Sequence, residues 1–370
     1  MRHQGMDSGL TYWLRRLHVD PVLLLALLAL IATGLFILYS ASGENADMVT
    51  RQATRLMIAL LVMFLIAQVP VERLRQWAPW IYLAGLLLLV SVLLVGQIGM
   101  GARRWLDLGF MRFQPSEVMK LAVPMMLAWY FAERALPPTP GQLTVAGVIV
   151  LLPVMLIAKE PDLGTALLVG MVGAFVIFFA GLRYRTLAAF VLLGLASLPV
   201  IWHFMHDYQR NRVLTFLNPE RDPLGAGYHI IQSMIAVGSG GVYGKGWLNG
   251  TQAQLDFLPE RSTDFIFSVF GEEFGLIGVL LLLALYVFIV LRGLDIALRA
   301  QDTYSRLVAG SLSMMFSVYV FVNVGMVIGL LPVVGVPLPL VSYGGTSMVT
   351  ILAAFGMLMG IHSHRRLVAH

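Results

Sequence analysis

The sequence lacks cysteine altogether, and charged residues make up only 12% of its 370 positions. The absence of cysteine excludes disulfide bonds and thiolate metal sites. The scarcity of charge accompanies 58% hydrophobic residues, more than a soluble globular protein of this length needs. Because the apolar residues occur in long runs rather than in alternating patterns, their natural solvent is lipid. The composition therefore predicts a membrane protein.

Histidine is also scarce. The eight histidines are scattered, and His362 and His364 lie two residues apart, so they would not share a helical face. A helical H-E-x-x-H pair is absent, which excludes that class of zinc hydrolase. We attribute the net charge of +5 to Lys and Arg in short loops, where membrane proteins collect them, and we expect no nucleic-acid partner.

Apolar runs of the length that crosses a bilayer, about 17–25 residues, recur along the chain. They centre on residues 21–42, 53–69, 79–99, 117–133, 141–158, 163–181, 186–205, 264–291, 306–330 and 341–361. We therefore predict an all-α polytopic membrane protein with about ten transmembrane helices, forming one domain over residues 1–370. A long polar loop, 206–263, separates the seventh and eighth spans.

The orientation follows from the basic residues at the two ends of the chain. An even number of spans places both termini on one side, and the ends carry Arg2, Arg15, Arg16, Arg365 and Arg366. Short loops on that side are also rich in Arg, which is typical of the cytoplasmic face. We expect cytoplasmic termini, with the long loop and Asp264 on the opposite face.

Ionisable residues within a span are costly and therefore informative. Glu117 and Lys120 are three residues apart, so they share a helical face and can pair. This pair is either a structural element or the lining of a polar cavity together with Asp264. Pro115 suits the first turn of that helix, and Gln114 or Ser116 could cap it.

A second acidic residue, Asp162, follows Pro161 and precedes Thr165 by three positions. This spacing is typical of a helix N-cap. Alternatively, Asp162 offers an oxygen ligand for a divalent cation at the same surface as Asp264.

The long loop contains Arg210, Arg212 and Lys245. These cations suit a phosphorylated ligand, or simply anionic lipid headgroups. The stretch "YHIIQSMIAVG" is amphipathic and could lie in the membrane interface. The glycine-rich "GSGGVYGKG" is either ordinary turn sequence or a backbone cradle for an anion, and its spacing differs from that of a P-loop.

Asp264 stands at the beginning of an apolar run. It could cap a helix, where the helix dipole and nearby cations would keep it ionised. An ionised carboxylate beside an apolar wall can also accept a proton from a hydroxyl group. Glu272 and Glu273 follow two turns later, and only one of them could approach the same cavity.

A more specific signal is "NVGMVIGLLPVVGVPLPLVSYGGTS", residues 323–347. It resembles the signature of the SEDS family, the shape, elongation, division and sporulation proteins. The motifs "RRWLDLGFMRFQPSE", "PDLGTA", "GSGG…GKG" and "LPERSTDFIF" occur in that family's order. The stretches "DPLGAGYHIIQS" and "GKGWLNGTQAQLDFLPE" look most like the branch that serves cell elongation.

The resemblance implies a peptidoglycan glycosyltransferase that polymerises lipid II on the periplasmic face of the inner membrane, aided by a divalent cation, Mg²⁺ or Mn²⁺. It implies a class B penicillin-binding protein as partner, docked against the eighth and ninth spans, within a larger elongation complex. Asp264 matches the family's essential Asp, and Glu117 and Lys120 match its cavity ion pair.

The chemistry of such a reaction sets what the residues must do. An α-linked donor and a β-linked product imply inversion, and pyrophosphate leaves readily, so one base and several cations should suffice. We expect Asp264 to act as that base or as a metal ligand, with Asp162 as a second ligand. The substrate-binding candidates are Arg104, Gln114, Arg210, Arg212, Lys245 and Ser342.

Two other functions fit part of this pattern. A lipid II flippase or transporter would also use many spans and central ion pairs, although its polar residues usually gather near mid-membrane. A scaffold that only positions a synthase would not depend on Asp264. Glycan synthesis by the purified protein separates the enzyme from both.

Overall fold

The computed structural model describes residues 18–99, 102–107, 112–205, 207–221, 225–255, 257–258 and 260–363. The terminal arginines used for the orientation lie outside these residues. The α-helices, in chain order, are α1 (Pro21–Ala41), α2 (Ala46–Ala67), α3 (Val71–Val95), α4 (Pro115–Ala132), α5 (Pro140–Lys159), α6 (Leu163–Phe179), α7 (Tyr184–Phe204), α8 (Asp207–Leu217), α9 (Ala226–Ser239), α10 (Thr251–Gln254), α11 (Ile266–Leu298), α12 (Thr303–Val327) and α13 (Thr346–Ser363).

A helix covers the core of every predicted span. Within the described residues, seven helices are long and apolar enough to cross a membrane: α1, α2, α3, α5, α11, α12 and α13. The apolar helix α6 is shorter, and α7 is apolar over Tyr184–Ser197. The chain is therefore a multi-pass helical membrane protein, as predicted.

Local sequence chemistry explains where the helices begin. Asp20 caps α1 by accepting from the backbone N of Val22, and Thr139 forms a reciprocal capping box with Gln142 at α5. Each such cap satisfies backbone N–H groups that have no partner within the first turn. Pro115 occupies the first turn of α4, as expected from its fixed φ.

The centre of the bundle is formed by α4, α6 and α12, which pack against one another. Most of α12 is buried, including the large side chains of Tyr304, Phe316 and Tyr319. The pair α2 and α13 packs closely because Gly356 faces the backbone of Met63, where any side chain would overlap the carbonyl oxygen. Small residues at helix contacts give this kind of close approach in membrane proteins.

Three short antiparallel strands, not predicted from the sequence, lie between α3 and α4. They are β1 (Gln97–Gly99), β2 (Ala102–Asp107) and β3 (Arg112–Phe113), in the order β1-β2-β3. In the register, Gln97 is paired with Trp105 and Leu106 with Phe113. The sheet brings Arg104 to the turn that precedes α6.

The segment 206–263 is not an extended loop in its described part, because much of it is helical. It contains α8, a short 3-10 turn at Pro219–Arg221, α9 and α10. The amphipathic stretch predicted around residues 228–238 forms α9, whose Ile230 and Ala236 are buried while Met234 and Ile235 are exposed. α9 packs against α11 and anchors this segment to the bundle.

A break at Gly275 divides α11, which the sequence presents as one continuous apolar run. Gly275 has φ 61° and ψ −163°, so the backbone leaves the helix there. The broken hydrogen bonds are replaced by the glycine-rich loop, residues 240–246. Leu276 and Ile277 donate to the carbonyls of Gly241 and Val242, at 2.9 and 3.2 Å.

The replacement is reciprocal. The carbonyls of Glu272 and Glu273, which Leu276 and Ile277 would otherwise use, accept instead from the backbone N of Lys245 and Gly246, both at 3.0 Å. The amides of Lys245 and Gly246, in the stretch considered as an anion cradle, are therefore bonded within the protein. Glycine is required in this loop because a side chain at Gly240 or Gly244 would overlap the α11 backbone.

Candidate functional site

The turn Glu260–Asp264 leads into α11 and carries the candidate base. The helix N-cap is Phe265, and no side chain makes a capping hydrogen bond there. The interpretation of Asp264 as a helix cap is therefore wrong. The carboxylate is instead half-buried and available for another role.

Three contacts fix the backbone of this turn. The side-chain amide of Asn323, on α12, donates to the carbonyl of Asp264 at 2.9 Å. The hydroxyl of Ser342 donates to the carbonyl of Thr263 at 2.6 Å, and the backbone N of Tyr343 donates to the carbonyl of Ser262 at 2.8 Å. Ser342 was predicted to bind substrate, and its described contacts place it in support of the turn.

The 334–336 segment lies directly beside the Asp264 side chain. Gly335 has φ 74°, and a Cβ built on it would lie 3.4 Å from Oδ2 of Asp264. The second amide proton of Asn323 is donated to the carbonyl of Val336 at 2.8 Å. One buried amide thus joins the turn and the segment that flanks its carboxylate.

The pKa of Asp264 differs from the prediction made from the sequence, which was a carboxylate kept ionised by the helix dipole and nearby cations. Burial, together with the neighbouring Glu260 carboxylate, raises the pKa of Asp264 to about 6, while the Arg212 guanidinium lowers it. Desolvation of the charged form outweighs the single cation. A carboxylate with this pKa is largely ionised at neutral pH and is also a better proton acceptor than an exposed one.

The predicted ion pair is present in the interior of the bundle. Nζ of Lys120 lies 2.6 Å from Oε1 of Glu117, and both residues are buried. Lys120 also donates to the hydroxyl of Tyr319, on α12. Tyr319 and Asn323 are four residues apart, so one face of α12 contacts both the ion pair and the Asp264 turn.

Asp162 lies at the start of α6, where it caps the helix as predicted. It accepts from the backbone N of Thr165 at 3.2 Å, and its other oxygen accepts from the side chain of Gln114 at 3.0 Å. Gly164 packs against the carbonyl of Val334, which would lie 3.0 Å from a Cβ built on that glycine. The 334–336 segment therefore touches the start of α6 on one side and Asp264 on the other.

The predicted cations occupy different settings. Arg104 donates to the carbonyls of Glu160, at 3.3 Å, and Pro161, and Arg210 donates to the carbonyls of Trp202 and His203 near the end of α7. These contacts hold backbone turns together. Arg212 is exposed, and its charge acts on Asp264.

Lys245 is paired with a buried carboxylate. Its Nζ lies 2.7 Å from Oε1 of Glu272, whose side chain is fully buried and also accepts from Thr251. Glu273 accepts from the hydroxyl of Ser40, so the adjacent Glu272 and Glu273 both stabilise surrounding structure. Substrate binding by Lys245 stays a prediction, but its described contacts are structural.

Glu160 is a buried residue to which the sequence patterns assigned no role. It is fully buried, and within the described residues neither carboxylate oxygen has a hydrogen-bond partner. Burial and the nearby Asp162 raise the pKa of Glu160 to about 8, with Arg104 acting in the opposite direction. The residue is thus mainly protonated at neutral pH.

Several residues of the site were not singled out from the sequence. Asn323 and Gly335 belong to the quoted signature, so their role was available there, but only the fold shows that both contact Asp264. Glu260 is four residues from Asp264, yet a turn rather than a helix brings them together. Tyr319 gave no signal beyond lying one turn from Asn323.

A metal cage is not formed by the side chains that the structure describes. They include no group of three or more His, Asp or Glu residues placed to hold an ion. Mg²⁺ commonly uses one or two carboxylates together with substrate phosphates. Asp264 is compatible with that mode.

Comparison with known proteins gives a consistent result. Residues 21–367 match the model of the FtsW, RodA and SpoVE family of cell cycle proteins. The chain is 52% identical to peptidoglycan glycosyltransferase MrdB of Escherichia coli K12 over 360 residues, 97% of each chain. It is 38% identical to stage V sporulation protein E of Bacillus subtilis, covering 94% of this chain and 98% of that one.

Two solved structures share the fold. One, described as "Structural coordination of polymerization and crosslinking by a peptidoglycan synthase complex", matches with a TM-score of 0.83 and 34% identity, covering 94% of this chain and 99% of that one. The rod shape determining protein RodA of Thermus thermophilus matches with a TM-score of 0.72 and 32% identity, covering 94% and 98%.

Proposed function

This chain belongs to the FtsW, RodA and SpoVE family, also called SEDS, and on that basis we propose that it is a peptidoglycan glycosyltransferase that polymerises lipid II into β-1,4 glycan during cell elongation. The observation that carries the proposal is the Asp264 carboxylate, half-buried and with a raised pKa, in a turn fixed by Asn323 and Ser342. The relative from Escherichia coli is named for the same activity.

The proposed reaction is a displacement with inversion at the anomeric carbon of the donor. The 4-hydroxyl oxygen of the acceptor sugar forms the new bond while the bond to the lipid pyrophosphate breaks. Asp264 takes the hydroxyl proton, and the electron pair leaves with the pyrophosphate. The raised pKa of Asp264 suits a general base that works near neutral pH.

The departing pyrophosphate requires positive charge. Arg212 is exposed and acts electrostatically on Asp264, so it is placed to meet that charge. Arg104, Arg210 and Lys245 are engaged with backbone carbonyls or with Glu272, which favours a supporting role for them.

A divalent cation, Mg²⁺ or Mn²⁺, is part of the proposal. Asp264, with pyrophosphate oxygens from the substrate, would hold it, and Asp162 is a second candidate ligand. When bound, the cation would neutralise charge on the leaving group. Because Asp162 already accepts two hydrogen bonds, it would have to release one to bind a metal.

The partner and location are proposed from the family. We propose the bacterial inner membrane with cytoplasmic termini, and a class B penicillin-binding protein that contacts the eighth and ninth spans, α11 and α12. The exposed apolar side chains Val287, Phe288 and Leu291 on α11 and Phe321 on α12 support such a surface. The rest of α12 is largely buried, so α11 would supply most of it.

The test is an Asp264→Asn variant in a polymerisation assay with purified lipid II and the partner present. Asp47→Asn, an exposed acid in the first turn of α2, is the matched control. We expect glycan synthesis to fall by about 10²-fold or more with a general base removed, and to persist in the control. Full activity of a folded Asp264→Asn protein would reject the proposed role.

The same preparation separates the alternatives. Transport of lipid II across vesicles without glycan formation would favour a flippase. Normal complex assembly and normal glycan yield with Asp264→Asn would favour a scaffold.

A further inference from the structure

An apolar groove of about 570 Å³ lies between α1 and α11, away from the Asp264 turn. α1 contributes Ala32, Thr33 and Phe36, and α11 contributes residues between Phe270 and Leu285. The hydroxyl of Thr33 donates to the carbonyl of Ala29 at 2.9 Å within its own helix. With that hydroxyl bonded within α1, the lining is predominantly apolar and suits a hydrocarbon chain.

The groove is preformed by a glycine and two aromatic rings. Gly278 has no side chain, and a Cβ there would overlap that of Phe274. The rings of Phe270 and Phe274 pack at 4.8 Å between centroids, and Leu282, which also lines the groove, is buried. Leu281 is 68% exposed, so the groove opens sideways, where a membrane-spanning helix meets lipid.

Trp247, which follows the glycine-rich loop, packs on Phe36 at one end of the groove. Its ring stacks on Phe36 with 4.4 Å between centroids and an interplanar angle of 14°, and Tyr39 lies 6.0 Å away. Trp247 directly follows the 240–246 loop that completes α11, so its position is fixed by that loop. Trp and Tyr at the end of a span mark the membrane interface.

Beyond Trp247, α1 leads to the turn that carries Asp264. Nη2 of Arg261 lies 3.6 Å from a Cβ built on Gly43. Phe36 is five residues from the end of α1, about 7.5 Å along the helix axis, and Gly43 follows that end by two residues. Arg261 precedes Asp264 by three positions, so a lipid chain in the groove would leave its polar end beside a guanidinium and the Asp264 turn.

We propose that this groove binds the polyisoprenyl chain of the lipid-linked substrate and directs its pyrophosphate toward Arg261 and the turn Glu260–Asp264. This inference rests on the proposed function. Two matches determine the choice of occupant. The apolar walls of the groove match a hydrocarbon chain, and the positive charge of the guanidinium beyond it matches a phosphate group.

The test fills the groove without touching the catalytic turn. Ala32→Trp places an indole in it from the exposed side of α1, and Leu25→Trp is the control, two turns away on the same face and 67% exposed. Each variant is assayed with lipid II carrying a full-length polyisoprenyl chain and with an analogue carrying a truncated one.

We expect Ala32→Trp to raise KM for the full-length substrate about tenfold, since it displaces several buried methylene groups, and to leave KM for the truncated analogue and both kcat values unchanged. Leu25→Trp should match the wild type. Equal KM changes with both substrates, or no change with either, would overturn the proposal. Loss of the co-purified partner with unchanged KM would assign the groove to a partner helix and also overturn it.

A binding measurement keeps the inference separate from catalysis. A benzophenone amino acid replacing Leu281 should cross-link a labelled polyisoprenyl pyrophosphate, and unlabelled compound should compete while phosphatidylglycerol should not. Competition by phosphatidylglycerol would identify an ordinary lipid site and reject the proposal. Cross-linking by a protein that makes no glycan would reject the proposed function and leave the groove assignment standing.

Discussion

Gly335 lies directly against the carboxylate of Asp264. A Cβ at position 335 would be 3.4 Å from Oδ2, and the backbone there has φ 74°, a conformation that L side chains rarely adopt. Gly335→Ala should therefore cost about 1–2 kcal/mol of stability from backbone strain, and a shift of the 334–336 segment that relieves this strain would move the wall beside the base. We expect glycan synthesis to fall by about 10²-fold, measured together with thermal unfolding, because small displacements at a reacting centre are costly.

Gly241 provides a matched control for that substitution. It has φ 56°, and a Cβ built on it would meet no atom within 4 Å. Gly241→Ala should carry a similar strain but retain activity. A Gly335→Ala enzyme as active as Gly241→Ala would contradict the positioning role.

The acid limb of the pH–rate profile should report Asp264. Its pKa of about 6 means that activity declines as pH falls through 6, since the protonated carboxyl cannot accept the hydroxyl proton. Glu260→Gln removes a charge that raises this pKa, so the limb should move to lower pH. Arg212→Gln removes a charge that lowers it, so the limb should move to higher pH.

The measurement is kcat/KM for lipid II between about pH 5 and 8, the range where a group with this pKa changes charge. Shifts of the same sign in the two variants would contradict the electrostatic assignment. A profile without an acid limb would remove Asp264 as the titrating base.

Lys245 and Glu272 should behave as a coupled structural pair. Lys245→Met leaves the fully buried Glu272 without its cation, which should cost about 3–5 kcal/mol if the carboxylate stays charged. Adding Glu272→Gln should recover much of that loss. A thermal-unfolding double-mutant cycle should give a coupling of about 1–3 kcal/mol, whereas additive effects would show that the pair is not coupled.

Glu160 should make stability depend on pH. Its pKa is raised from 4.5 to about 8 in the folded protein, so the native state binds the proton more tightly than the unfolded chain. The associated stability is fully present below the unfolded pKa and is lost as pH rises toward 8, by up to about 1.4 kcal/mol per unit. Glu160→Gln should flatten this slope, and an identical slope in the variant would contradict the assignment.

The absence of native cysteine allows a direct test of orientation. Asn218→Cys and Asp47→Cys, both exposed, should react with a membrane-impermeant maleimide added to intact cells stripped of the outer membrane. Ser363→Cys, at the end of α13, should react only after permeabilisation. Reversed labelling would place Asp264 on the cytosolic face, where the proposed substrate chemistry would not take place.

Much of the architecture was predictable because long apolar runs force helices where lipid offers the backbone no hydrogen bonds. The pairing of Glu117 with Lys120 and the cap formed by Asp162 were predictable for a similar reason, since both depend on spacing within a few residues. Contacts between distant segments were not. Lys245 and Glu272 are 27 residues apart, and only the break at Gly275 shows why the glycine-rich loop must reach α11.

For Asp264, the sequence predicted the position of the residue but not its environment. Its place at the beginning of an apolar run indicated a helix cap and a well-ionised carboxylate. The fold starts the helix at Ile266 and half-buries the side chain beside Glu260. The pattern of apolar residues along the sequence does not show how far the Asp264 carboxylate is removed from water. That depends on packing by the 334–336 segment, which includes Gly335.

The exchange of hydrogen bonds at Gly275 has a practical consequence for engineering. Loops between spans are the usual choice for inserting epitope tags or fluorescent domains, because their backbone is replaceable. Residues 240–246 are an exception, since they supply the partners that two turns of a membrane-spanning helix lack. An insertion there would cut the span itself, although on a topology diagram it would look like the safest site in the chain.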